Sequence, residues 1–228
     1  MPTPCFTAAT FRFLRELAAN NRRDWFAANR SRYEEVVRQP FLRLIADLQA
    51  PLTRLSPHYL ADPRPQGGSL FRVHRDTRYA RDKSPYKSWA SARLFHERAR
   101  STESPSFYIH IEPEHCFVGG GLWHPQPETV KRVREFLVDN PEAWKKATRS
   151  KKFVAGFVLG GESLVRPPRG FDAAHELIVD LKRKDFIATC DFPETLATSA
   201  ELMPFLVGRL NGLAPMIDYL CAALDLEF

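Results

Sequence analysis

The chain is expected to fold as an α+β protein, a mostly antiparallel sheet with N-terminal helices and a C-terminal helical segment packed on it. Three observations predict this. Apolar residues recur at helical spacing over about 6–50 and again over about 195–226. Strict alternation marks the centre, where Phe107, Ile109 and Ile111 point one way and Tyr108, His110 and Glu112 the other. The connections between central strands are short, and that favours a meander over parallel crossovers.

The elements follow in order. Thr7 or Thr10 can cap a first helix whose stripe is Phe11, Leu14, Leu17 and Ala18, with Asn20 and Asn21 to end it. A second helix runs through Trp25, Phe26, Tyr33 and Val37, Gln39-Pro40 separates it from a third at 41–48, and Pro51 closes that unit. The stretch 53–69 reads as a surface loop. Strands are expected near 70–78, 88–96, 106–112 and 116–123, the last two joined by the turn Pro113-Glu114-His115. Gly119-Gly120-Gly121 permits a kink or a close backbone approach.

Beyond the sheet, a helix with Val130, Val133, Phe136 and Leu137 on one face ends at Asn140-Pro141, which starts another through Trp144. Five cations between Lys145 and Lys152 suit a helix C-terminus. A strand over 153–159, a turn over 166–172, a helix near 173–183 and a strand over 186–192 follow. The helical tail starts at a Ser199 cap, reaches Leu224 and is expected to break at Gly212 to Pro215.

At 228 residues and 44% hydrophobic, the chain can bury a sizeable core as one domain, its sheet-containing part spanning about 70–192. The formal charge of +6 favours acidic partners in general. Cys5, Cys116, Cys190 and Cys221 are far apart, with no metal-binding or redox spacing, so a cytoplasmic setting is expected. Nowhere do eighteen apolar residues run together, and no membrane partner is expected.

The charge is concentrated in one stretch, Phe71 to Lys87, reading FRVHRDTRYARDKSPYK. It holds six fixed cations, Arg72, Arg75, Arg78, Arg81, Lys83 and Lys87, against two acids, Asp76 and Asp82. Arginine presents a planar fork of donors that fits carboxylate and phosphate alike. As a strand, its first half would place Arg72, His74 and Asp76 on one face and Val73, Arg75 and Thr77 on the other, so some guanidiniums need an anion or water. Arg75 is the arginine expected to be partly buried, with Asp76 beside it. Ser84-Pro85 shapes the following loop, which carries Tyr86 and Lys87.

NNRRDWF (20–26), RVHRDTRYARDKSPYK (72–87), GGGLWHP (119–125) and RPPRGFD (166–172), in that order, resemble the family known as domain of unknown function 2461. The resemblance spans nearly the whole chain, and its long central motif is specific. It implies no activity, cofactor or catalytic residue to carry over.

The residues therefore set the functional expectation. The first reading is an anion-binding protein in which Arg72, Arg75, Arg78, Arg81, Lys83, Tyr86 and Lys87 contact a phosphate- or carboxylate-bearing ligand. The partner is an anionic small molecule or a nucleic acid, since Tyr79, Tyr86 and Trp89 interleave aromatics with the cations. The second is a phosphoester hydrolase or phosphoryl-transfer enzyme, metal-assisted or not, with Asp76, Asp82 or His110 handling the proton. The third is a purely structural ion-pair network in which Asp76 and Asp82 hold the arginines.

Asp76, Asp82, His110 and Glu112 are also of metal-ligand type, but no H-E-x-x-H, D-x-D cluster or His-rich box accompanies them, and no metal residue is assigned. Nucleotide cradles and the G-x-S-x-G elbow are missing from the sequence, which names no cofactor.

Overall fold

The computed structural model describes residues 4–228. Thr7 caps α1 (Ala8–Ala19), its hydroxyl accepting from the Ala9 amide while the Thr10 hydroxyl accepts from the Thr7 amide. Phe11, Phe13, Leu14 and Leu17 supply the buried face of α1, and Asn20 ends it. The expected second helix divides into α2 (Arg23–Ala28), α3 (Arg30–Tyr33) and a π-helical turn (Glu34–Arg38). That turn runs straight into α4 (Gln39–Leu55).

The prolines expected to separate and close helices do neither. Pro40 lies in the first turn of α4, where its missing N–H has no partner to lose, and Pro51 lies inside the helix.

A six-stranded antiparallel sheet follows, in the order β1-β2-β3-β4-β6-β5. Its members are β1 (Tyr59–Leu60), β2 (Ala90–His96), β3 (Ser106–Ile111), β4 (Cys116–Leu122), β5 (Val158–Gly160) and β6 (Phe186–Phe192). β2, β3 and β4 form the expected meander, and the 113–115 turn places Glu114 at φ 66°. β6 pairs antiparallel along all of β4, from Cys116 opposite Phe192 to Leu122 opposite Phe186.

Several expected elements differ. The 70–78 stretch is no strand: Leu70 forms an isolated bridge to Ala92 of β2, and His74 forms one to Tyr86, outside the sheet. Residues 153–156 belong to α7 (Lys151–Gly156), whose Ser150 cap accepts from the Phe153 amide, and only β5 remains of the strand expected there. The helix expected near 173–183 shrinks to α8 (Ile178–Leu181). The C-terminal helix, α10 (Leu202–Ala222), continues through Gly212 and Pro215 without a break, and begins after Ser199, whose hydroxyl accepts from the Glu201 amide. Packing overrides the two breakers, since Leu206, Leu210, Leu213, Met216, Ile217 and Leu220 are all buried.

The remaining helices are α5 (Pro127–Asp139), α6 (Pro141–Thr148) and α9 (Glu194–Ala197). One core cluster joins the helices to a single face of the sheet, on which Ala92, Leu94, Phe107, Ile109, Ile111, Val118 and Ala188 are fully buried. α10 lies across β4 and against α4, α6 and α7. The four cysteines are free thiols, with Cys116 and Cys221 buried. No described helix is long and apolar enough to cross a membrane.

Candidate functional site

Because side chains alternate along a strand, covering one face of the sheet leaves the other to a second set of residues. The register places them in rows. Ser91, His110, Phe117 and Asp191 are successive partners across β2, β3, β4 and β6, and Arg93, Tyr108, Gly119 and Thr189 form the next row. Apart from Asp191, these residues form the floor of an open cleft of about 1070 Å³. Phe71, Lys87 and Trp89 wall one side, while Arg100, Thr102, Glu103 and Trp123 contribute to the rest. The volume and the aromatic lining suit a small molecule.

The glycine triplet makes part of that floor backbone only. A Cβ at Gly119 would lie 2.7 Å from the Ala188 carbonyl oxygen, and one at Gly121 would lie 1.9 Å from that of Phe186, with φ at +129°. The triplet pairs with β3 and β6 in unbroken register, so no bulge interrupts it, and the expected close approach to a helix occurs at Gly120, where a Cβ would lie 3.2 Å from the Ile217 side chain of α10.

His110 lies at the centre of the polar groups. Its Nδ1 is 3.2 Å from the Tyr108 hydroxyl and its Nε2 is 2.9 Å from Glu112 Oε2, while its ring stacks on Phe117 at 4.7 Å and on Trp89 at 5.9 Å. Burial pushes the His110 pKa down, the Glu112 carboxylate works the other way, and the outcome is a lowered value. The turn then returns His115, whose Nδ1 is 3.6 Å from the same Glu112 oxygen.

The basic stretch divides into two parts. In the first, side chains tie the loop to itself. Asp76 accepts from the Arg78 guanidinium at 2.6 Å and from the Arg78 amide at 3.2 Å. Asp82 pairs with Arg75 and accepts from the Ser84 amide at 2.9 Å and hydroxyl at 2.6 Å. These bonds hold Asp76 at about 2 and Asp82 lower still, both below the usual carboxylate range. The Lys83 ammonium donates to the Thr77 carbonyl at 2.9 Å.

Arg75 is partly buried, as expected, but its partner is Asp82, not Asp76. Tyr86, expected among the ligand contacts, is buried and stacked on Phe26 at 4.1 Å.

In the second part no acid answers the charge. Among the described residues Arg72, Arg81 and Lys87 form no ion pair, and Lys87 sits over the Phe71 ring at 5.2 Å on the wall of the cleft. Burial first, and then the Arg72 guanidinium, lower the Lys87 pKa. Arg93 and Arg100 also line the cleft without an ion pair. Of the two acids there, Glu103 is occupied at the start of α5, accepting from the Gln126 amide at 3.0 Å and the Thr129 hydroxyl at 2.6 Å. Glu112 is occupied by the histidines.

A model of the family described as a conserved hypothetical protein (DUF2461) matches residues 9–219 of the 228. The chain belongs to that family. No curated protein and no solved structure matches it.

Of the stretches by which the chain resembles DUF2461, the basic stretch and the glycine segment line the cleft, and the other two lie behind it or elsewhere. The 20–26 segment supplies Phe26 beneath Tyr86, and the basic stretch supplies the Phe71 and Lys87 wall. The glycine segment supplies floor and rim, with the His124 amide donating to Asp185 at 2.6 Å. In the 166–172 turn Phe171 packs partly against the core. Sequence reasoning missed Arg93, Arg100, His115, Phe117 and the aromatic floor, since strand register, and for Arg100 and His115 the turns between strands, bring them together; the H-x-E-x-x-H spacing at a predicted hairpin was the available signal for His115.

Proposed function

We propose that this member of DUF2461 binds an anionic small molecule with a flat ring in the open cleft. Lys87 and Arg72 hold the phosphate or carboxylate, and the ring lies over the aromatic and glycine floor. The observation supporting this is the Lys87 ammonium, half-buried beside Arg72, with no carboxylate at ion-pair distance from either among the described residues. Removing an ammonium from water without a counter-charge is unfavourable, and an oxyanion at the wall reverses that cost. Arg93 and Arg100 extend the positive lining, and the aromatic side chains of Trp89, Tyr108, Phe117 and Trp123 favour a ring.

Asp76, Asp82, Arg75 and Arg78 have contacts that support holding the loop, so the expectation of an ion-pair network applies to that half of the motif and that of anion binding to the other half. Isothermal titration with phosphate and carboxylate compounds, with and without an aromatic ring, tests the reading. A ring-bearing anion should bind more tightly than its ring-free counterpart, and Lys87→Met should weaken it at least tenfold. Equal binding by the parent and Lys87→Met, or binding by no compound, rejects it; preference for a single-stranded oligonucleotide would replace the small molecule by nucleic acid.

One contact favours a second reading, catalysis of phosphoester hydrolysis. His110 touches Glu112 through one nitrogen and Tyr108 through the other, an arrangement able to move a proton at the cleft wall. Turnover of a phosphoester panel that His110→Gln abolishes, with binding retained, would establish it.

A further inference from the structure

His110, Glu112 and His115 place one ligand atom each within 4.8 Å of one another. We propose that these three residues form a binding site for a divalent transition-metal ion of the zinc or iron(II) kind, with its open coordination position facing the cleft.

The local chain brings the three together. His110 and Glu112 project from the same face at the end of β3, and the turn with Glu114 at φ 66° reverses the chain within three residues so that His115 comes back over them. The donors are two imidazole nitrogens and one carboxylate oxygen. That set suits zinc or iron(II) and offers too few oxygens for calcium or magnesium. An ion at about 2.0–2.1 Å from such donors keeps them about 3 Å apart. Glu112 Oε2 is 2.9 Å from His110 Nε2 and 3.6 Å from His115 Nδ1, and with all three donors within 4.8 Å of one another a turn of the exposed His115 side chain brings the set onto one ion.

The surroundings hold these groups ready. Imidazole ligands are commonly oriented through their second nitrogen, and the Tyr108 hydroxyl occupies that place at His110 Nδ1. Phe117 lies against both imidazole rings, at 4.7 Å from His110 and 5.2 Å from His115, and Trp89 stacks on His110 at 5.9 Å. All three donor residues line the cleft, so a fourth position opens toward solvent and ligand. Three protein ligands with one open position is the pattern of catalytic rather than purely structural zinc.

One feature opposes the ion. The Lys87 charge acts on His110, and it would act on a metal in the same sense. The Glu112 carboxylate offsets one of the two metal charges, and an anion at the fourth position offsets the other.

The test uses untagged full-length protein, stripped with chelator and held in a buffer without phosphate, so that it depends on metal alone and its result is separate from that of the anion titrations. Zinc chloride and cobalt chloride are added, with binding followed by calorimetry and by the visible absorption of bound cobalt. One ion per chain and a cobalt spectrum of low coordination number are expected. His115→Ala alters an exposed turn side chain, and Glu112→Gln keeps the side chain's shape, so neither variant needs to disturb the fold. Each should weaken zinc binding at least tenfold, while His124→Ala, on the far rim, should bind as the parent does. Absence of stoichiometric binding up to 100-fold excess metal overturns the proposal, as does equal affinity in the parent, His115→Ala and Glu112→Gln. Anaerobic iron(II) in the same titration distinguishes the two kinds of ion.

Discussion

The side chain of Asn21 binds the backbone of Tyr86 at both of its polar groups: its Nδ2 donates to the Tyr86 carbonyl at 2.9 Å, and its Oδ1 accepts from the Tyr86 amide at 3.0 Å. One amide thus replaces a missing β-strand partner for the residue that leads into Lys87. It also explains why an asparagine just after α1 and a loop sixty-five residues away occur in one motif set. Asn21→Ala removes both partners at once, at a cost of roughly 1–3 kcal/mol for buried groups left unpaired. A urea titration should show a lower midpoint with an unchanged slope. A midpoint equal to the parent's would mean that Tyr86 is held by its ring alone.

The divided motif predicts contrasting responses. Lys87→Met replaces a half-buried ammonium over the Phe71 ring by an apolar side chain of similar length and removes a charge with no ion-pair partner, so thermal stability should stay level or rise while anion affinity falls. Arg75→Ala removes the partner of Asp82 from the internal half of the loop. Its pair is too exposed for a large global effect, and anion affinity should change less than in Lys87→Met. If Arg75→Ala weakens binding as much as Lys87→Met does, the two halves of the motif act as one.

Acid should loosen the loop late. Asp82 is held below the ordinary value of 3.8 by hydrogen bonds from Ser84 first and Arg75 second. For a carboxyl whose folded pKa is depressed, the stabilising contribution is complete above the unfolded value and disappears as pH falls through the folded one. The window therefore lies below 3.8, and at physiological pH the loop is insensitive. The amide proton of Ser84, bonded to Asp82, reports this directly by NMR: its shift should titrate with a midpoint below 3.8, and a midpoint at or above that value rejects the contact.

Two glycines predict opposite shifts in melting temperature. At Gly121 an added Cβ would lie 1.9 Å from the Phe186 carbonyl oxygen at φ +129°, whereas at Gly208, within α10, it meets nothing within 4 Å. Gly121→Ala should lower the midpoint by several degrees or prevent folding, since forced backbone strain costs on the order of 1–3 kcal/mol and each kcal/mol corresponds to about 2–4 °C in a chain of this size. Gly208→Ala should raise it slightly, by up to about 1 kcal/mol, through better helix propensity. Differential scanning calorimetry measures both.

Where residues obey a single local rule, the structure follows it. The alternation of Phe107, Ile109 and Ile111 with Tyr108 and His110 appears as a buried and an open face, and α5 keeps its expected stripe, with Phe136 partly buried; in α1 Phe11, Leu14 and Leu17 are buried as expected, but Phe13 joins them and Ala18 is exposed. The misread segments are those in which local preference loses to packing or to side-chain bonds. Pro51 and Pro215 signal breaks, yet both lie within helices whose buried leucines hold them in register. The 70–78 stretch contains strand-like residues, but Asp76 and Asp82 bond to amides two positions ahead and fold it into turns instead. For the cleft, the cations and His110 were legible as residue types. Their division into answered and unanswered charges was not, because it depends on distances across the sheet.

The placement of α10 has a consequence for how the chain is made. β2 to β4 are complete by Leu122, but the helix that lies across β4 ends only at Ala222. At a synthesis rate of about 5–20 residues per second, the apolar face of the nascent sheet waits on the order of ten seconds for that cover. During that interval the same strands that later line a ligand cleft present a naked hydrophobic surface on their reverse side. Newly made chains should therefore depend on holding chaperones, and slowing the ribosome within the last third of the message should increase aggregation more than slowing it near the start.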